Sequence, residues 1–143
     1  MSREIVNQLD LELTGIVSSL KELVNSVPEN LLYQSSIGEN ILRSAAVIEQ
    51  TCGGLTANLW DDPFEWTLPE TLSNADRIIE YLSEVDLARQ RAFNSILDDS
   101  VLSKYISDPS GEPRLLVSLL LETVVSASDY RGRAQGTLRV LRH

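Results

Sequence analysis

The chain has 143 residues, 43% of them hydrophobic, with 12 Lys and Arg against 21 Asp and Glu, one His and one Cys. That length suits one domain, 1–143, able to bury roughly two-thirds of its extended-chain surface without cross-links. The single Cys excludes a disulfide framework and Cys-based zinc clusters, the lone His at the last position excludes a histidine-rich metal site, and a net charge of -9 argues against a broad nucleic-acid surface.

The first helical pattern runs from about Ser2 to Val24. Ile5, Leu9, Leu13, Ile16, Leu20 and Leu23 recur three or four apart and share one face. Gly15 sits inside it, and Pro28 stops the helix at or before Val27. A second helix begins with Ser35 or Ser36 as its cap. Glu39, three residues beyond Ser36, suggests a capping box. Its inward stripe is Ile37, Ile41, Ser44, Ile48, Cys52, Leu55 and Leu59. The Gly53-Gly54 pair marks a kink or a close approach by a neighbour. Residues 60–72 form an irregular connection in which Trp60, Phe64 and Trp66 either plug the core or roof a pocket.

A third helix starts near Ser73, with Ile78, Leu82, Val85, Ala92 and Ile96 buried and Arg89 in the middle of that stripe. Asp98, Asp99 and Ser100 end it, and Asp108 to Gly111 make a turn. The fourth helix opens near Ser110 or Gly111 with Pro113 close to its first position. Leu116, Leu119, Thr123, Ser126, Tyr130, Arg133 and Thr137 fall on one side of it. Four long helices and no strand-like alternation predict an all-α fold, a four-helix bundle whose connection lengths permit more than simple up-down order.

Charge divides unevenly along the chain. Residues 1–112 hold 7 basic and 19 acidic side chains, a net of -12; residues 113–143 hold 5 and 2, a net of +3. Arg131, Arg133, Arg139 and Arg142 give the last helix a positive character, matched to its C-terminal dipole or offered to an anionic partner.

The polar residues inside the pattern carry the functional question. Ser126, Tyr130 and Arg133 continue a buried stripe, Arg89 interrupts another, and Arg43 lies beside the second. Buried groups of this kind need partners. Asp129, Glu122, Asp86 and Glu39 are the candidate acceptors. Satisfied salt bridges between helices are one reading. A pocket in which Arg43 or Arg133 grips a small anion, with hydroxyls from Ser126 and Tyr130, is the other. Ser126 and Tyr130 have no histidine base, since His143 stands at a terminus. Cys52 on the buried face reads as apolar filler.

Ser36-Ile37-Gly38-Glu39 followed by Asn40-Ile41-Leu42-Arg43, together with Ser126 through Arg133 around Tyr130-Arg131-Gly132, resembles the DinB-like (DinB/YfiT-like) metalloenzyme superfamily over nearly the whole chain. The resemblance implies that family's bundle and its cleft between the second and fourth helices. In the family, three histidines hold a divalent metal there, commonly zinc or nickel. Their places fall here at Arg43, Ser126 and Tyr130, and the glutamine that follows the Arg-Gly becomes Arg133. No metal and no cofactor are therefore expected, because an arginine repels a cation. The cleft itself, with Arg43 in the metal's place, is expected to persist. The thiol-dependent transfer and isomerisation of metal-bearing relatives should not carry over, and homodimers are implied by the family's habit.

Four readings follow: a metal-free bundle of unknown specific role, a lost enzyme or a binding protein, with a candidate pocket for a small anion or carboxylate; a protein-binding scaffold; an enzyme of the transferase or isomerase type using the same cleft; and nucleic-acid binding through the basic end of the last helix, which the charge balance opposes. The start MSREIVNQLD reaches Glu4 at once and no apolar run of spanning length follows, so a cytoplasmic chain without membrane association is expected.

Overall fold

The computed structural model describes residues 2–66, 68–71, 74–108 and 110–142, with the side chains of Glu65, Trp66 and Pro69 left aside. Its elements in chain order are α1 (Glu4–Ser26), α2 (Glu29–Gln34), α3 (Ser36–Ala57), α4 (Pro63–Trp66), α5 (Leu68–Thr71), α6 (Ala75–Asn94), a 3₁₀ turn (Asp99–Ser103), β1 (Tyr105–Ser107), β2 (Pro113–Leu115) and α7 (Leu116–Leu141). The fold is an all-α bundle, but the expected four-helix bundle is corrected. Among the described residues, α1, α3, α6 and α7 share the chain with short helices, a 3₁₀ turn and an antiparallel ribbon.

Side-chain contacts give the directions of the long helices. Arg3, just before α1, and Asp10 within it meet Phe93 and Arg89 of α6, so these two helices run antiparallel. Ser19 and Ser26 of α1 meet Gln135 and Arg142, so α7 runs parallel to α1. Ser44 and Thr51 of α3 meet Ala127 and Thr123, so α3 opposes α7. The result is up, down, down, up, with α3 packed between α6 and α7. Apolar burial drives this arrangement: Leu13, Ile16 and Leu20 of α1, Ile37, Ile41 and Ile48 of α3, and Ile78 and Leu82 of α6 lose almost all contact with water.

Several boundaries differ from expectation for local reasons. On α1 the buried residue of the first turn is Val6, while Ile5 is 54% exposed. Ser35 caps α3, accepting from the Ile37 N–H at 3.2 Å. Glu39 does not close a capping box; it accepts from Arg43 instead. Asn58, at φ 56°, turns the chain left-handed and ends α3 at Ala57, so Leu59 lies outside the helix and exposed. Asn74 caps α6 through the Asp76 and Arg77 N–H groups; Ser73, the expected cap, lies outside the described residues, as does His143.

The start of the last helix needed the largest correction. Asp108 accepts from the N–H groups of Ser110 and Glu112, and Gly111 takes φ 83°, which only glycine adopts cheaply. That turn folds Pro113–Leu115 back on Tyr105–Ser107, with Ser107 opposite Pro113 and Tyr105 opposite Leu115. Pro113 therefore starts a strand, not a helix.

Candidate functional site

The face of α7 differs from the one expected. Its buried line runs Leu116, Leu119, Leu120, Thr123, Ala127, Ala134 and Leu138. Beyond Thr123 it passes one residue away from Ser126, Tyr130, Arg133 and Thr137, which are part-buried or exposed. The cause is the closeness of α3. Small Ala127 sits against that helix, and the Ser44 hydroxyl reaches across to the Ala127 carbonyl at 2.7 Å.

The arginines separate accordingly. Arg89 is 6% exposed and donates to Asp86 at 3.0 Å and to Asp10 of α1. Burial opposes its charge, but the Asp86 hydrogen bond and the Asp10 carboxylate outweigh that and raise its pKa. It ties α6 to α1. Arg43 pairs with Glu39 one turn away at 3.1 Å, and its guanidinium stacks 4.0 Å above the Phe64 ring. Arg133 pairs with Asp129 at 2.8 Å and lies 5.1 Å from the Tyr130 ring centroid. Asp86, Glu39 and Asp129 serve Arg89, Arg43 and Arg133, whereas Glu122 pairs with Arg114; Asp10 was missed, because nothing in the sequence distinguished it from Glu4, Glu12 and Glu22 on α1 as the residue that faces Arg89.

A cavity of about 320 Å³ opens between α3 and α7. Of the five candidate residues, it includes Ser126 alone. Val47 and Leu119 give it apolar walls, Trp60 stands at its side, and Gln50, Thr51 and Thr123 bring polar groups. Thr123 donates to the Leu119 carbonyl at 2.8 Å, so the 2.7 Å contact between Thr51 and Thr123 is a bond donated by Thr51. Gln50 donates to the Trp60 carbonyl at 2.7 Å, and the Trp60 indole donates to Asn58 at 2.9 Å. Trp60 thus borders the site under fixed constraints, and Gly54 leaves room for its ring. Of the expected aromatic plug, Phe64 packs partly buried against the core; the Trp66 side chain is outside the described residues.

The cation of this cavity is Arg114, which pairs with Glu122. Asp108 adds a second carboxylate, held below the usual carboxylate range chiefly by the Ser110 hydroxyl. Two carboxylates therefore face one guanidinium. Sequence reasoning missed Arg114 and Trp60 as partners in one site, since the ribbon that delivers Arg114 has no periodic signal.

No family model, curated protein or solved structure matches this chain.

Two other features bear on chemistry. Cys52 is fully buried and burial pushes its thiol up to about 12, which makes it core filler. Among the described residues no group of His, Cys, Asp and Glu gathers that could hold a metal ion, and no helix is long and apolar enough to cross a membrane.

Proposed function

We propose that this chain is a metal-independent binding protein for a small amphipathic molecule, a divergent relative of the DinB-like family that keeps the inter-helix cleft without the family's metal chemistry. The observation that carries it is the cavity of about 320 Å³ between α3 and α7, at the small end of ligand-pocket sizes and lined by both apolar walls and hydroxyls. The family resemblance draws support from register: the Ser44–Ala127 and Thr51–Thr123 contacts set Arg43 level with Tyr130 along the helix pair. The residues at the family's ligand positions do not fit a divalent metal, because Arg43 is a fixed cation and the hydroxyls of Ser126 and Tyr130 are poor substitutes for imidazole.

The cavity's charge selects its ligand. A small anion or carboxylate must displace Glu122 from Arg114 and pass Asp108. A neutral or positively charged group meets two carboxylates and the open hydroxyl of Ser126. A small amine or amino alcohol with an apolar tail resting on Trp60 is the best match. Fluorescence of Trp60, with Trp66 changed to Phe so that one indole reports, and calorimetry test this with propylamine, ethanolamine, acetate, cysteamine and inorganic phosphate. The amines should give saturable binding that Trp60→Ala abolishes. Flat titrations for every probe sink the binding function, and acetate binding more tightly than the amines overturns the charge argument.

A further inference from the structure

Another cavity, of about 410 Å³, lies where the C-terminal ends of α1 and α7 run side by side. Leu23 of α1 lines it with Gln135, Leu138, Arg139 and Arg142 of α7, and no carboxylate is part of the lining. Leu23 and Leu138 are members of the core, so their edges give the cavity an apolar wall. Gln135 donates to the Ser19 hydroxyl at 3.4 Å, a long bond that a better acceptor can replace. Arg142 donates to the Ser26 carbonyl at the end of α1, 3.2 Å away, which steadies its guanidinium and leaves further donors unspent. Among the described residues neither Arg139 nor Arg142 forms an ion pair, unlike Arg43, Arg89, Arg114 and Arg133. One turn before Gln135, the buried Nε of Arg131 also lacks a hydrogen-bond partner.

We infer that this cavity binds the phosphate group of a small, soluble organic monoester, at a site separate from the α3–α7 cleft. Two helices end here, and their dipoles account for some of the positive charge: each end acts as about half a negative charge. Together they offset only one of the two guanidinium groups in the lining. Glu22 stands on the same side of α1, between Ser19 and Ser26, but it is exposed and forms no ion pair with either arginine. Glu29, just beyond α1, accepts from the Ala75 N–H instead. With Arg131 one turn away, positive charge stays in excess. A phosphate monoester brings nearly two negative charges and three acceptor oxygens, which suits two guanidinium groups and the Gln135 amide. A carboxylate, with one charge and two oxygens, is satisfied by a single arginine fork. The ester's organic part rests on Leu23 and Leu138.

Calorimetry of the full chain in phosphate-free buffer, with phenyl phosphate, benzoate and inorganic phosphate as probes, reads the outcome. Phenyl phosphate should bind saturably and about tenfold or more tightly than benzoate. Inorganic phosphate, which has no apolar part, should bind less tightly than phenyl phosphate. Arg139→Gln changes an exposed side chain in the last turn, so it should keep the fold and raise the dissociation constant about tenfold. Glu22→Gln removes a competing charge and should lower it severalfold. Arg133→Gln, which lies outside this cavity beside Gly136 and Val140, should change it by less than about twofold. Excess propylamine should not displace phenyl phosphate, whatever that amine does in the α3–α7 cleft, so the two sites stand or fall separately. Absence of saturable phenyl phosphate binding overturns the inference, and so does equal weakening by Arg133→Gln and Arg139→Gln, the mark of diffuse charge attraction. Benzoate binding as tightly as phenyl phosphate overturns the phosphate assignment. Flotation of the chain with vesicles containing phosphatidic acid, without phenyl phosphate binding, overturns the soluble ligand in favour of a lipid headgroup.

Discussion

Glu49 shows how one buried group can set a pH dependence. It sits part-buried on α3 and accepts from the Tyr81 hydroxyl of α6. Burial raises its pKa; the Tyr81 bond pulls the other way without cancelling the effect, and nearby Glu84 adds to the rise. The same burial, together with the Glu49 charge, moves the Tyr81 hydroxyl far up. A carboxyl whose folded pKa exceeds its unfolded one binds its proton more tightly in the folded state. It therefore favours folding below the unfolded value and loses that contribution as pH rises through the folded one. Glu49→Gln keeps an acceptor for Tyr81 and removes the titration. Its melting temperature at neutral pH should equal or exceed that of the wild type, and the wild type's decline as pH rises above the ordinary carboxylate range should flatten in the variant. A steeper decline, or a variant less stable at neutral pH, refutes this account. Arg89 was legible at the same scale. An arginine inside an apolar stripe demands a carboxylate, and the Asp86 three residues before it was readable. The α1 partner Asp10 was not, because the rotation of one helix against another is decided by all their side chains together.

At the scale of elements, the long helices were written in periodicity, and their ends depended on single residues. Pro28 and the seryl cap at Ser35 were visible. The left-handed Asn58 was not, since asparagine is common inside and outside helices alike. The face of α7 was misjudged beyond Thr123 because Ala127 and Ala134 carry so little apolar weight in a pattern, although they are fully buried. Small residues mark a close contact only once the partner helix is known. The Gly53-Gly54 pair allows either a kink or a close approach, and Gly54 is a point of close approach. A Cβ there would stand 2.1–2.3 Å from three carbons of the Trp60 ring. Gly54→Ala gains helix propensity of about 1 kcal/mol but forces a rigid ring to move, which typically costs about 1–3 kcal/mol. The expected outcome is a net loss of stability near the lower figure, a red-shifted Trp60 emission as the ring moves toward water, and weaker binding in the cavity it borders. Unchanged emission would show that the ring has room the geometry denies it.

The whole molecule is closed by contacts far apart in sequence, and these were the least legible of all. Arg3 supplies no side-chain cap to α1. The carboxylate of Asp99, in the 3₁₀ turn, caps it instead, accepting from the N–H of Ile5 at 3.2 Å and of Val6 at 3.0 Å. In return the Asp99 N–H donates to the Ser2 carbonyl at 2.9 Å, and Arg3 donates to the carbonyls of Phe93 at 2.6 Å and Ile96 at 3.2 Å, where α6 ends. The start of α1 and the end of α6 thus satisfy each other's unpaired backbone groups. In the sequence, Asp98, Asp99 and Ser100 signalled only that a helix had stopped. Asp98 does cap the turn locally, through the Ser100 N–H at 2.8 Å, so two adjacent aspartates divide a local and a distant task. Asp99→Ala should cost about 1–2 kcal/mol, as loss of a charged cap on two N–H groups does, and Asp98→Ala should cost less because its turn is exposed. Asp99→Asn keeps an acceptor while losing the charge at the positive end of α1, so it should fall between wild type and Asp99→Ala. Urea unfolding with both single variants and an Arg3→Ala, Asp99→Ala pair measures the clasp as a unit. The two changes touch one junction, so their costs should combine less than additively. Strict additivity would show that α1 is held at each point separately and that the ends of the two helices are not coupled.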